Sequence, residues 1–299
     1  MDIKRTILIA ALAVVSYVMV LKWNDDYGQA ALPTQNTAAS TVAPGLPDGV
    51  PAGNNGASAD VPSANAESSP AELAPVALSK DLVRVKTDVL ELAIDPVGGD
   101  IVQLNLPKYP RRQDHPNIPF QLFDNGGERL YLAQSGLIGS NAPDKSSGRA
   151  LWSSAQQQYQ LADGLDELVV ELKYSEAGVN YIKRFSFKRG EYDLTVSYLI
   201  DNQSAQPWSG NMFAQLKRDA SGDPSSSTAT GTATYLGAAL WTAAEPYKKV
   251  SMKDIDKGSL KENVSGGWVA WLQHYFVTAW IPAKSDNNVV QTRKDSQGH

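Results

Sequence analysis

Residues 266–282 read GGWVAWLQHYFVTAWIP. The fold turns on whether this run is a helix, a membrane span or strands. Trp268, Trp271, Leu272, Tyr275, Phe276, Ala279 and Trp280 fall at i, i+3, i+4, i+7, i+8, i+11 and i+12, a helical template. The glycine pair and Pro282 bracket too few residues for the ~20 that a helix needs to cross a bilayer, and Gln273 and His274 interrupt the run. Aromatic and β-branched side chains are enriched, which favours strands. Two strands, Trp268 to Leu272 and Tyr275 to Ile281, with a break at Gln273-His274, account for the run as well as a helix does. The surrounding sequence tips the reading to strands.

Upstream, the hydrophobic period is two. LVVELKY puts Leu168, Val170, Leu172 and Tyr174 on one face. YIKRFSFK puts Tyr181, Lys183, Phe185 and Phe187 together, and YDLTVSYLID does the same for Tyr192, Leu194, Val196, Tyr198 and Ile200. Lys188-Arg189-Gly190-Glu191 supplies a glycine-bearing hairpin turn. The three runs predict an antiparallel meander with one dry and one wet face. Val83 to Lys86, Leu90 to Ile94 and Ile101 to Leu106 add strands, with a turn at Gly98-Gly99. Phe120 to Phe123, Arg129 to Ala133 and Gln158 to Ala162 are further candidates, whereas KYPRRQDHPNIP and DASGDPSSSTATGTA are expected to be long loops. Many short strands without βαβ alternation, and no long helix after residue 24, predict an antiparallel β-sandwich.

The chain opens MDIKRTILIAALAVVSYVMVLKW. Thr6 to Leu21 is uncharged, and as a helix it covers roughly 24 Å of the ~30 Å hydrocarbon core. Ile7, Leu8, Ile9, Leu12, Val14, Val15, Val18, Val20 and Leu21 are expected to sit in the lipid bilayer. Lys4, Arg5 and Lys22 can snorkel outward, and Trp23 suits the interface. The reading is an uncleaved signal anchor over 6–23; the alternative is a cleaved signal peptide, with Gly28-Gln29-Ala30 as a small-x-small site. Basic residues before the span keep residues 1–5 cytoplasmic and export the rest.

From Gly28 to Ser79 there is no aromatic residue, and Pro, Ala, Ser and Asn dominate. Residues 24–79 hold six acids and no Lys or Arg, so the acidic balance belongs to this expected disordered linker. Residues 80–299, the exported domain, are close to neutral. No basic footprint points to nucleic acid. The absence of cysteine removes disulfides, thiolate metal sites and Cys nucleophiles.

VKTDVLELAIDPVGGDIVQLNLPKYP (Val85 to Pro110), FQLF, YLAQSGLIG, FSFKRGEYDLTVSY (Phe185 to Tyr198) and GGWVAWLQHYFVTAWIP, in that order behind MDIKR and a linker, resemble the YidC membrane-insertase family of Gram-negative type. The resemblance implies a twisted β-supersandwich in the periplasm, similar in fold to sugar mutarotases, behind an uncleaved inner-membrane anchor. It also implies insertion and folding of nascent inner-membrane proteins, alone or with the Sec translocon and its SecD and SecF accessory subunits. The family's five-span insertase core with its groove arginine has no counterpart up to His299. The last strands of the sandwich are expected to be missing as well, leaving an unpaired strand edge.

No catalytic, cofactor or metal residue stands out. A mutarotase-like fold raises an aldose-epimerase alternative, or a membrane-tethered carbohydrate-binding protein, and His274 is its one well-placed acid–base candidate. A turn or sheet-face residue is the plainer reading of His274. Asp254-Ile255-Asp256-Lys257-Gly258 lacks the oxygen ligands of a calcium loop, with Ser265 where the bidentate Glu would stand, and is expected to be a solvated loop. Arg111-Arg112 and Lys248-Lys249 are expected to be surface charge. A concave sheet face could hold an extended or apolar segment.

Overall fold

The computed structural model describes residues 12, 14–19, 81–112, 114–125, 129–224, 235–295 and 298–299. Residues 12 and 14–19 are helical, with Leu12, Val14, Val15 and Val18 exposed, and form part of a unit separate from the β-rich one. No helix among the described residues is long and apolar enough to cross a membrane. The anchor positions Ile7, Leu8, Ile9, Val20 and Leu21, the flanks Lys4, Arg5, Lys22 and Trp23, and the linker 24–79 lie outside the described residues.

The β-rich unit is built from four sheets. The largest contains β1 (Val83–Lys86), β2 (Glu91–Asp95), β3 (Asp100–Arg112), β4 (His115–Phe123), β5 (Tyr131–Ile138), β7 (Gln158–Gln160) and β11 (Asn211–Arg218). Its order is β11-β5-β3-β2-β1-β7, with β4 also on β3. The second sheet, β10-β9-β8-β6, contains the predicted meander: β8 (Glu167–Glu176), β9 (Val179–Lys188) and β10 (Leu194–Asn202), with β6 (Ser153–Ser154) beside β8. Pairing is antiparallel throughout except for β1 with β7, where Arg84 lies opposite Gln158 in parallel.

The period-two reading of the meander holds along β8, β9 and β10, but Tyr192, expected on the same face, precedes β10 and is exposed. Val170 lies opposite Phe185 and Leu172 opposite Lys183, all buried. Their inward faces join Val83, Val85, Ile94, Ile101 and Leu104 of the first sheet in one core. Each buried Phe, Leu or Val removes enough apolar surface from water to contribute about 1.5–3 kcal/mol. Gly190, at φ +77°, makes the β9–β10 turn in a backbone region that favours glycine.

KYPRRQDHPNIP is not a loop: most of it extends β3 and β4 into an exposed ribbon, with Pro110 opposite Pro119 and Arg112 opposite His115. Proline is tolerated here because the ribbon carries no further strand on its flanks, so the missing N–H groups break no ladder.

The third sheet, β13-β12-β15-β16, decides the opening question. It contains β12 (Gly237–Leu240), β13 (Lys248–Val250), β15 (Val269–Leu272) and β16 (Val277–Trp280). The run 266–282 is thus two strands, each a residue or more shorter than expected, joined where Gln273 N–H bonds to Phe276 C=O at 2.8 Å. Strands win because Gly266 and Gly267, at φ +65° and +80°, turn the chain sharply into β15. The helical spacing of the aromatics is split between strand and turn: Trp271 on β15 is buried, while Tyr275 in the turn is 72% exposed. A fourth, two-stranded sheet pairs β14 (Lys261–Ser265) with β17 (Asn287–Gln291). The one α-helix among the described residues of this unit, Met252–Lys257, starts with a Ser251/Asp254 capping box.

Candidate functional site

Between the two larger sheets lies a charged cluster that fixes their spacing. Arg149 donates from Nε to Asp144 Oδ1 at 2.9 Å and from Nη2 to Asp100 Oδ1 at 2.8 Å. The same Nη2 reaches the carbonyls of Ser135 (2.9 Å) and Gly98 (3.1 Å). Lys183, fully buried on β9, donates to those two carbonyls at 2.8 and 3.0 Å. Asp144 Oδ2 accepts the Leu137 N–H, and Gln134 donates to Asp100. Burial pushes the Lys183 ammonium down to about 7, against the pull of Asp100. Burial likewise raises the Asp100 carboxyl, with Arg149 and Lys183 opposing.

Glycine makes room for this cluster. A Cβ on Gly98 (φ +80°) would lie 2.6 Å from Arg149 Nη2, and one on Gly99 (φ +66°) 2.9 Å from Lys183 Cδ. The turn read from the sequence as mere punctuation is therefore the seat of two buried cations. Sequence reasoning placed Lys183 on the dry face but missed Arg149, Asp100 and Asp144. Arg149 and Asp144 lie in irregular segments without periodicity; the signal available was the lysine among Tyr181, Phe185 and Phe187. The cluster of Arg149, Asp100, Asp144 and Lys183 is almost wholly buried between the sheets, and its bonds hold those sheets together.

The surface it supports is β10. Leu194, Val196, Tyr198 and Ile200 face the core but are only half-buried, unlike the matching residues of β9. Among the described residues β10 pairs only with β9, so its outer edge is unpaired. Tyr198 is held by a 3.1 Å hydrogen bond between its hydroxyl and Ser135 Oγ, and burial raises its pKa. Beyond the start of β10, Tyr192 packs on Tyr109 (5.8 Å between ring centroids), Tyr109 on Phe276 (5.6 Å), and Phe276 stacks on Phe120 at 4.3 Å. A half-wet apolar strip, an open strand edge and an aromatic ladder can accept an extended apolar chain.

Of the other candidates, His274 and the two basic pairs are turn or surface, whereas residues 254–257, expected as a loop, are helical because Ser251 and Asp254 cap the helix start. His274 lies in the β15–β16 turn, its main-chain N–H donating to Asp223 Oδ2 at 2.5 Å and its ring 4.2 Å from that of Tyr275. Asp223 thus anchors the turn's backbone. Arg111 and Arg112 lie on the exposed ribbon, where Arg112 pairs with Asp114. Lys248 pairs with Glu262, and Lys249 lies 5.0 Å over the Tyr235 ring. Asp254 caps the short helix, where its hydrogen bonds to Ser251 hold its carboxyl below the usual range. No group of His, Asp or Glu among the described residues is arranged to hold a metal ion.

The fold is a β-sandwich whose two larger sheets share one core, with an edge at β10 left unpaired among the described residues. The match to known families agrees. Residues 82–299 match the model of the YidC periplasmic domain, and the chain belongs to that family. Curated relatives named membrane protein insertase YidC are 91% identical in Pseudomonas putida, 82% in Pseudomonas entomophila and 75% in Pseudomonas syringae pv. tomato. Each match covers 100% of this chain and 54% of the relative, so the chain spans about half the length of the relatives it matches. The relatives' name denotes insertion of proteins rather than a bond-making reaction.

Proposed function

We propose that this chain is the anchor and periplasmic interaction part of an insertase for inner-membrane proteins, and that the insertion groove belongs to the rest of its relatives' length. In this proposal residues 1–5 are cytoplasmic, 6–23 cross the inner membrane, 24–79 tether, and 80–299 work in the periplasm as a β-supersandwich. The observation that carries the interaction role is the half-buried strip of β10 ending in an unpaired strand edge. An extended apolar segment of a nascent inner-membrane protein can add to that edge, taking main-chain hydrogen bonds from β10 and burying alternate side chains on the strip. Docking to the Sec translocon and its SecD and SecF subunits is part of this proposal and rests on family membership.

A photo-crosslinking residue at Leu199, which is exposed on β10, tests the reading in membranes synthesising an inner-membrane protein. Crosslinks to the nascent chain are expected from Leu199 and not from exposed Leu165. Equal labelling from both positions contradicts the site. The aldose-epimerase alternative fares worse, because the carboxylate bonded to His274, Asp223, takes its main-chain N–H. Mutarotation assays with common aldoses are expected to be silent; turnover abolished by His274→Ala would reinstate it.

A further inference from the structure

Beyond Leu106 and Phe120, β3 and β4 run on as a two-stranded ribbon, with no other strand beside it among the described residues. The described side chains from 107 to 118 are exposed on both of its faces. A ribbon of two strands buries too little to hold itself in place. This one is fixed at its root, where Phe120 stacks on Phe276 and Tyr109 meets Phe276 and Tyr192 edge-on. Past that root it is bare.

The bare part is basic. PKYPRRQDHPNIP, residues 107–119, sets Lys108, Arg111 and Arg112 against one acid, Asp114, in a domain that is otherwise close to neutral. Internal partners do not absorb these cations. Arg111 forms no ion pair among the described residues. Lys108 reaches Asp88 only at 3.9 Å, and Arg112 pairs with Asp114 in an exposed contact. Exposed pairs of this kind are weak and give way to a competing anion. Apolar side chains stand among the cations: Tyr109 is 44% exposed and Ile118 49%. Arg111 follows Pro110 and Ile118 precedes its partner Pro119, so cation and apolar group lie at about one level of the ribbon.

The prolines decide which kind of partner this suits. Pro107, Pro110, Pro116 and Pro119 remove N–H donors from the ribbon, so an added strand would meet an incomplete ladder. What the ribbon offers is side chains, not backbone. Cations beside an aromatic and an aliphatic group suit a bilayer surface, where the cations meet phosphates and the apolar groups enter the headgroup zone.

We infer that the β3–β4 ribbon docks on a bilayer surface carrying anionic lipid headgroups, with Arg111 and Arg112 on the phosphates and Ile118 in the headgroup layer. The inference rests on the anchor reading only in that an anchor keeps this unit near a bilayer, and it is independent of what β10 receives.

The chain has no cysteine, so Asn117→Cys gives a single site on the ribbon for an environment-sensitive dye. Ala205→Cys, exposed beyond the far end of β10, gives a control site. The 299-residue chain is placed in nanodiscs of phosphatidylcholine, with or without phosphatidylglycerol. The dye at position 117 is expected to shift to the blue only with phosphatidylglycerol present and to lose the shift at high salt, while the dye at 205 stays unchanged. The ratio of docked to free ribbon should fall about fivefold with Arg111→Gln or Arg112→Gln and about thirtyfold with both. A chain that does not enter the discs counts against the anchor instead, and anionic vesicles added to the same labelled chain then decide the ribbon by the same shift. A silent dye with anionic lipid, an equal shift in both lipids, or a shift that the double variant keeps overturns the inference. A shift that needs another membrane protein in the disc overturns it in favour of a protein partner.

Discussion

Replacing Lys183 by methionine isolates the electrostatic cost of the cation in the sandwich core. Methionine keeps an unbranched apolar side chain in the space. It also leaves no orphaned carbonyl, because Arg149 Nη2 still donates to Ser135 and Gly98 at 2.9 and 3.1 Å. At neutral pH the variant should therefore lie within about 1 kcal/mol of the parent, since removing a desolvated charge offsets the lost hydrogen bonds. The pH dependence is the sharper signature. The native Lys183 pKa, about 7, lies below the ordinary lysine value of 10.5, so between those pH values the unfolded chain holds a proton that the native state has released. Stability contributed by Lys183 must then rise with pH across that window. From pH 7 to pH 9 the parent should gain about 2 kcal/mol relative to Lys183→Met, the slope approaching about 1.4 kcal/mol per pH unit. Arg149 stays on Asp100 at 2.8 Å in both proteins, so the difference belongs mainly to Lys183. Urea unfolding of both at pH 7, 8 and 9, followed by tryptophan fluorescence, measures it. Parallel pH profiles, or a parent that loses ground as pH rises, would refute the reasoning.

Arg149→Met leaves Asp100 and Asp144 buried without their bonded cation, so urea unfolding should show a loss of about 3–5 kcal/mol or failure to fold. Gly99→Ala combines φ +66° with a Cβ 2.9 Å from Lys183 Cδ and 3.1 Å from Leu172 Cδ1. A cost of about 1–3 kcal/mol is expected in the same assay. Tyr198→Phe removes the bond to Ser135 Oγ and should cost about 1 kcal/mol in stability while leaving the apolar strip able to bind.

The sequence carried the meander best. In β8, β9 and β10 each side chain's face is set by strict alternation, so even the buried Lys183 fell on the correct side. The run 266–282 was ambiguous because its strands are four residues each, too short for alternation to outweigh an accidental helical spacing. The β3–β4 ribbon escaped notice because its prolines argue against a central strand, and the ribbon is not central. β11, β12, β14 and β17 went unread because they are short or mixed in polarity and are fixed by partners distant in sequence. Lys261 opposite Gln291 is an instance that no local pattern encodes. The Arg149 cluster was hidden for a related reason: it assembles single residues from separate segments. Anchor and linker are read from composition, length and flanking charge, and most of those residues lie outside the described ones.

The account stands on the open edge of β10 as the place where an extended apolar chain is received. Amide hydrogen exchange on the 299-residue chain, with and without an extended apolar peptide from a membrane-protein span, tests this directly. Added pairing predicts that alternate amides of Leu194–Asn202, those directed away from β9, gain protection on binding. Their neighbours bonded to β9 should stay as they were. Binding without protection at β10, or protection confined to another edge such as β16, contradicts it.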